Sequence, residues 1–308
     1  MSIHSPLVTV VVLTYQKFDR IKRNLESIAK QEYRNIEVII QDDGSPNFDR
    51  AYVDELCKSV LGDRTWVVHQ NETNVGTVKS FNAAVFMANG EFVVPLSQDD
   101  CFYREDIVTK IVEFFQDHPD CMSCTAKRIG EKSKKVYPDR TDTDLLTMWD
   151  RKELWNRIVF ENFISGSTMY YRTGFMKQRN GFRTDFLLVE DYPFAADMIL
   201  ENQRIGFLDE ITIVYGEDGV SSTMAQSPKM LADRMVFYEK YIVPNTELVL
   251  YKRLQQYITY LYGDIRYRQK PIRRILHNVW SWKVVVRHLY GMYIKRLEVG
   301  ERYHLWTK

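Results

Sequence analysis

The sequence predicts an α/β fold, a doubly wound and mostly parallel sheet carrying a helical C-terminal appendage. Three observations carry that reading. Residues 7–14 form a β-branched apolar run without polar alternation, the pattern of a strand buried on both faces. Strand-like and helix-like segments then alternate as far as Leu96, which is the signature of parallel strands joined by crossover helices. Beyond Asn245 the chain turns helical, with a break at Gln269-Lys270-Pro271, where proline disrupts a helix interior.

Taken in order, residues 19–30 carry Ile21, Leu25 and Ile28 at helical spacing and predict the first helix. A strand over 36–41, a helix over 48–60, a strand over 65–69, a helix over 77–88 and a strand over 91–96 complete the alternation. The regularity then loosens into a helix over 103–116, a strand over 121–127 and a polar hairpin or loop over 130–143. Helices are expected over 144–160, 189–201 and 229–241, with a short strand over 211–215. The body extends to about residue 225, and 226–308 forms the helical basic region.

The chain has 308 residues, 42 Lys/Arg and 41 Asp/Glu, but the charges are unevenly spread. From Lys229 onward there are 16 cations against 6 acids, which leaves 26 against 35 before it, an acidic body followed by a basic tail. No uninterrupted apolar run approaches the roughly 20 residues that cross a bilayer, and the start lacks a signal peptide's basic and apolar regions. The expected location is cytoplasmic, either free or peripheral on the inner face of the membrane. Cys57, Cys101, Cys121 and Cys124 read as structural thiols, since the Cys121-x-x-Cys124 pair has no second pair to complete a zinc site.

The chemistry sits at strand ends. Leu96-Ser97-Gln98-Asp99-Asp100 follows an apolar run and brings two carboxylates together where a parallel sheet binds ligands, a suitable place for a hard divalent cation. A solvated turn with a helix N-cap would use the same acids. Thr14-Tyr15-Gln16-Lys17 follows the first strand and Asp42-Asp43-Gly44-Ser45 the second, and Gly44 permits a positive-φ turn. Asn74-Val75-Gly76-Thr77 opens a helix whose amides could face a phosphate. There is no G-x-G-x-x-G after the first strand, no G-x-x-x-x-G-K-[ST] and no G-x-S-x-G elbow, which removes the main support for dinucleotide, P-loop and α/β-hydrolase chemistry.

In this order and spacing, residues 10–15, Asp42-Asp43-Gly44-Ser45, Asn74-Val75-Gly76 and Leu96-Ser97-Gln98-Asp99-Asp100 resemble a family 2 glycosyltransferase of the GT-A, Rossmann-like fold, of the bacterial polysaccharide-biosynthesis type. The resemblance covers roughly residues 6–220, with a nucleotide-sugar half over 6–100 and an acceptor half over 101–225. It implies metal-dependent, inverting transfer of a sugar from a nucleoside diphosphate donor, with UDP as the first expectation, to a saccharide or lipid-linked saccharide. Thr14, Tyr15, Asp42 or Asp43, Asn74, Gly76, Lys79, Ser97 and Gln98 would then hold the donor. Asp99, with Asp100, would hold Mn²⁺ or Mg²⁺. The family's metal motif reads Asp-x-Asp, and Ser97 stands at its first position, bringing a hydroxyl without charge.

The resemblance also implies that Glu190-Asp191 is the family's acidic pair, with Asp191 as the base that takes the acceptor's proton; the position equally suits a helix cap. Gly166 and Ser167, with Glu190, would form the acceptor loop. The family's histidine ligand has no counterpart in residues 215–223, where Glu217, Asp218 or the diphosphate itself would substitute. The basic C-terminal helices carry interfacial aromatics and suit an anionic membrane surface, or nearly as well a helical hairpin packed on the body or on a second subunit in a homodimer, while no recognised module accompanies the charge to favour nucleic-acid binding. The alternative function is a catalytically inactive protein that binds nucleotide sugar or membrane on the same fold.

Overall fold

A computed structural model describes residues 5–217 and 227–307. These divide into two compact units. The first holds residues up to 137, 164–194 and 204–225; the second holds 138–163, 195–203 and 226 onward. The body expected to run unbroken to 225 is therefore interrupted twice, by segments that group with the C-terminal helices.

The first unit is built on a nine-stranded sheet. Strands β1 (Val8–Thr14), β2 (Ile36–Asp42), β3 (Thr65–Gln70) and β4 (Phe92–Pro95) lie in the order 3-2-1-4 and are mutually parallel. Helices α1 (Ile21–Ala29), α2 (Arg50–Leu61) and α3 (Thr77–Met87) connect them as expected. Val8, Val10, Val11 and Val12 are entirely buried, as a central strand covered on both faces requires. Because β1 and β2 pair in register, Thr14 stands opposite Asp42, and the loops that follow them leave from the same edge.

Beyond β4 the sheet becomes mixed, and here the expectations needed revision. A short strand β5 (Cys101–Phe102) pairs with the end of the chain's last strand, so the helix expected from 103 begins later, as α4 (Ile107–Asp117) with Asp106 before it. Strand β6 (Ser123–Gly130) turns back through β7 (Val136–Tyr137), the hairpin reading of 130–143. Strand β8 (Met169–Arg172), which the pattern did not suggest, pairs antiparallel with both β4 and β6. The strand expected over 211–215 is the end of a longer β9 (Ile205–Tyr215), parallel to β6 with irregular register around Lys127. The four cysteines are buried and unbridged, and burial pushes the thiols of Cys57 and Cys101 up to about 12 and about 11, as inert structural groups.

In the second unit the helix expected over 144–160 is two helices, α5 (Arg140–Met148) and α6 (Arg151–Phe160). Trp149 sits at φ 52°, and Asp150 caps the second helix by accepting the Lys152 and Glu153 amides. Helix α7 (Thr173–Gln178) belongs to the first unit, and α8 (Asp191–Leu200) starts there. Helices α9 (Pro228–Phe237), α10 (Lys252–Arg266), α11 (Pro271–Trp280), α12 (Trp282–Leu289) and α13 (Val299–Thr307) complete the second unit, with the expected break before Pro271.

Two buried charges anchor the units internally. Glu37, at the start of β2, accepts from the Thr9 hydroxyl, the Asn89 amide and side chain, and the Gly90 amide. Burial alone would raise this carboxyl, but those donors hold it below the usual carboxylate range. Its contribution is therefore present above the ordinary glutamate range and lost as pH falls through the lowered folded value. Urea unfolding followed from neutral to acid pH should show that loss, and Glu37→Gln should remove part of the slope. In the second unit the fully buried Arg157 gives two hydrogen bonds to Asp142, 2.7 and 2.9 Å long, and a third to the Glu161 carbonyl. Burial pushes the Asp142 carboxyl up despite that cation. Arg157→Met, which strands Asp142 in the interior, should cost about 3–5 kcal/mol in denaturant unfolding.

Candidate functional site

The order 3-2-1-4 makes the gap between β1 and β4 the point where chain winding reverses, and the loops after these strands open there. Backbone bonds continue past the strand ends, from the Leu96 amide to the Val11 carbonyl and from the Gln98 amide to the Leu13 carbonyl. The Gln98 side-chain amide then donates to the Tyr15 and Gln16 carbonyls, at 3.3 and 2.8 Å. The Gln98 side-chain amide thus ties the β1 and β4 loops together, and its Oε1 is buried without a hydrogen-bond partner. Gln16 and Lys17 both sit in the left-handed region, at φ 53° and 51°, a costly turn for two side-chain-bearing residues. Tyr15 is left 38% exposed at the head of that turn.

Asp42 and Asp43 are both buried, and protein donors occupy them. Asp42 accepts from the Thr14 hydroxyl, from the Ser45 hydroxyl and from the Ser45 amide. Ser45 in turn accepts from the Gln16 amide, which links the β1 and β2 loops. Asp43 accepts from Asn71, from the Ser80 hydroxyl, and from the Val75 and Gly76 amides at 2.8 and 3.0 Å. Asp43 thereby takes the two amides that immediately precede α3. Thr14, Asp42, Asp43 and Gly76 thus build these loops through their mutual hydrogen bonds, while Asp42 Oδ2 and Asp43 Oδ2 each take a single protein donor.

Gly44 adopts φ +68°, as its position suggested, and a Cβ there would lie 2.3 Å from the Thr73 carbonyl carbon. Gly76 has φ +92°, and a Cβ would meet Leu187, whose carbonyl also accepts from the Val78 amide. The segment leading to Glu190 is thereby held against the start of α3. Asn74 and Lys79 are exposed beside it.

Asp99 is half-exposed in the loop after β4, with Ser97 and Gln98 partly covered before it. Asn24 of α1, fully buried, fixes this loop by donating to the Ser97 and Asp100 carbonyls at 2.8 and 2.9 Å. Asp100 is 1% exposed; one oxygen accepts from the Gly216 amide at 2.7 Å, and Oδ2 is buried without a hydrogen-bond partner. Burial, and then the neighbouring Asp99 charge, hold this carboxyl well above its ordinary range. It does not cap the following helix, which starts at Ile107. Gly216 packs so closely that a Cβ would fall 2.5 Å from the Asp99 carbonyl oxygen. Among the described residues no three His, Cys, Asp or Glu side chains cluster as a metal cage. An orphaned carboxylate oxygen behind a half-exposed carboxylate nevertheless suits a hard cation whose remaining positions are filled by phosphate and water.

Glu217 does not join that pair. Its carboxylate takes the Lys132 and Ser133 amides, and bonds from Ser133 hold it below the usual range, so it closes the β6–β7 turn. Asp218 lies outside the described residues.

The acidic pair expected near the acceptor does meet its loop. Asp191 opens α8, and its Oδ2 accepts the Gly166 amide at 2.8 Å. A Cβ on Gly166 would lie 2.6 Å from Glu190 Oε1 and 3.3 Å from Asp191 Oδ2, so glycine is what lets the loop reach both acids. Ser167 bonds to Ser165 within the same turn. Behind the pair stands Tyr171 of β8, entirely buried, its hydroxyl without a hydrogen-bond partner and pushed up by burial and then by the Glu190 and Asp191 charges. Asn24, Asn71, Ser80 and Tyr171 carry no motif of their own. Asn24 alone left a signal, a polar residue on the apolar stripe of α1.

The family model described as "Glycosyl transferase family 2" matches residues 9–179. An uncharacterised glycosyltransferase of Haemophilus influenzae is 27% identical over 210 residues, which is 66% of this chain and 62% of that protein's length. Among solved structures, residues 1–349 of S. aureus TarS in complex with UDP-GlcNAc align with TM-score 0.62 and 19% identity, covering 97% of this chain and 90% of that one. The mannosyltransferase PcManGT of Pyrobaculum calidifontis, in complex with GDP-Man and Mn²⁺, aligns with TM-score 0.63 and 17% identity over 98% and 86% of the two chains. The fold is GT-A, and with more than half of its length matched the chain belongs to glycosyl transferase family 2.

Proposed function

We propose that this protein transfers a sugar, with inversion, from a nucleoside diphosphate donor, UDP first among the candidates, to a saccharide or lipid-linked saccharide in cell-surface glycan synthesis. The observation that carries the reading is the pairing, within one compact unit, of the Asp99 edge with a Glu190-Asp191 pair that a glycine loop holds in place. Bound UDP-GlcNAc in TarS and bound GDP-Man with Mn²⁺ in PcManGT support a nucleotide-sugar donor and a cation for this chain as well.

In this mechanism the exposed Tyr15 ring and the loop held by Gln98 and Ser45 receive the nucleotide, while Lys79 approaches its phosphates. Asp99, backed by Asp100, would hold Mn²⁺ or Mg²⁺, which supplies neutralisation of the diphosphate's charge as it departs. Asp191, oriented by the Gly166 amide and stabilised as an anion at the α8 N-terminus, takes the proton of the acceptor hydroxyl. The new C–O bond forms on the face opposite the breaking bond to the diphosphate, which leaves with its electron pair. A second reading, a donor-binding protein without turnover, is favoured by one feature, the uncharged Ser97 at the first position of the metal motif.

A screen of UDP-, dTDP- and GDP-sugars with Mn²⁺ or Mg²⁺ should find nucleoside diphosphate release from at least one donor, quenched by chelation and restored by metal. Calorimetric donor binding with no release from any donor would favour the second reading. Asp191→Asn should lower transfer by about 10²- to 10⁴-fold while donor affinity is kept; undiminished transfer would remove the base. Gly166→Ala, which crowds both acids, should lower kcat by about 10²-fold through misplacement of that base, with little change in donor Kd.

A further inference from the structure

Among the described residues, the second unit carries an apolar stripe that is left exposed. Ile272, Ile275, Val279, Trp282, Val286, Leu289 and Tyr293 recur at alternating spacings of three and four residues along α11, α12 and the turn that follows, so they share one helical face across the bend at Ser281. Every one of them is between 42% and 75% exposed, and the neighbouring Trp280 is 89% exposed. An exposed stripe of this length is a binding surface rather than ordinary surface scatter.

Its charge selects the occupant. From residue 265 to 297 there is no Asp or Glu, and there are nine Lys and Arg. Arg266 and Arg274 are paired to Glu239 and Asp264 of the same unit, whereas Arg273 and Lys283 stand exposed on the helices that carry the stripe. A second copy laid face to face would bring cation against cation with no acid in the segment to offset them. An anionic surface that is apolar beneath its charge meets both requirements: the phosphates take the cations and the acyl region takes the stripe. Trp280 and Trp282 bring indoles that settle at that boundary. Among the described residues no helix is long and apolar enough to cross a membrane, so the segment lies along the surface.

We infer that α11 and α12 dock this protein onto an anionic lipid bilayer, by insertion of the Ile272–Tyr293 stripe under phosphates held by the flanking cations. The inference is independent of the donor site and stands or falls without it.

The full chain should co-sediment with phosphatidylcholine vesicles that contain phosphatidylglycerol, and do so at least about tenfold more weakly with phosphatidylcholine alone or at high salt. Ile275→Asp with Val279→Asp should abolish co-sedimentation. Arg273→Glu with Lys283→Glu should weaken it by more than about tenfold and flatten its salt dependence. All four positions are exposed, and unchanged circular dichroism and thermal unfolding would show that the variants remain folded. The inference is overturned if the wild type pellets with neither vesicle, if it binds both equally, or if folded variants bind as it does. It is equally overturned if light scattering finds a dimer that Ile275→Asp with Val279→Asp dissolves, or if nucleic acid is retained in place of vesicles.

Discussion

The loops that leave β1 and β2 depend on the satisfaction of two buried carboxylates. Asp42 and Asp43 lie where β2 ends, out of water, and an uncompensated charge there would cost several kcal/mol. The chain folds its loops around them to supply donors. Thr14 and Ser45 reach Asp42, while Asn71, Ser80 and two backbone amides reach Asp43. The routes of the β1 loop, the β2 loop and the approach to α3 follow from that demand. Gly44 and Gly76 are needed because the backbones must come closer than a Cβ allows.

The same demand makes Asp42 and Asp43 part of the loop framework. Asp43 has four donors from protein, three on Oδ1 and one on Oδ2. Tyr15 and Lys79, by contrast, are left facing outward. The Glu190-Asp191 pair follows a parallel design, in which a glycine amide spends itself on one oxygen of Asp191 and sets its direction. Tyr171, whose burial keeps it a neutral phenol, backs that pair with an apolar wall.

The alternation of strands and helices through β4 was legible because burial on both faces leaves continuous β-branched runs, while each helix shows its apolar stripe. The second half was less legible, for physical reasons. Strand β5 has two residues and exists only because β9 offers it an edge. Strand β8 is four residues beside a loop of small side chains, and its pairing with β4 and β6 is non-local. The break at Trp149 is a left-handed residue without a glycine to announce it. Among the site residues, the acids were visible as motifs, but which faces water and which is spent within the protein depends on donors from 3 to 116 positions away.

The sequence by itself determined the fold class, the order of the loops at the sheet edge, the glycine turn at Gly44 and the presence of three acidic pairs, Asp42-Asp43, Asp99-Asp100 and Glu190-Asp191. These are encoded locally, in apolar periodicity, backbone freedom and the spacing of carboxylates. Only the tertiary structure decided that Asp43 occupies the α3 N-terminus, that Asp100 is an interior carboxylate with an orphaned oxygen, that Glu217 closes a turn, and that Gly166 holds Asp191. Hydrogen-bond supply and burial belong to the folded neighbourhood of a residue, and neither is written in its immediate sequence.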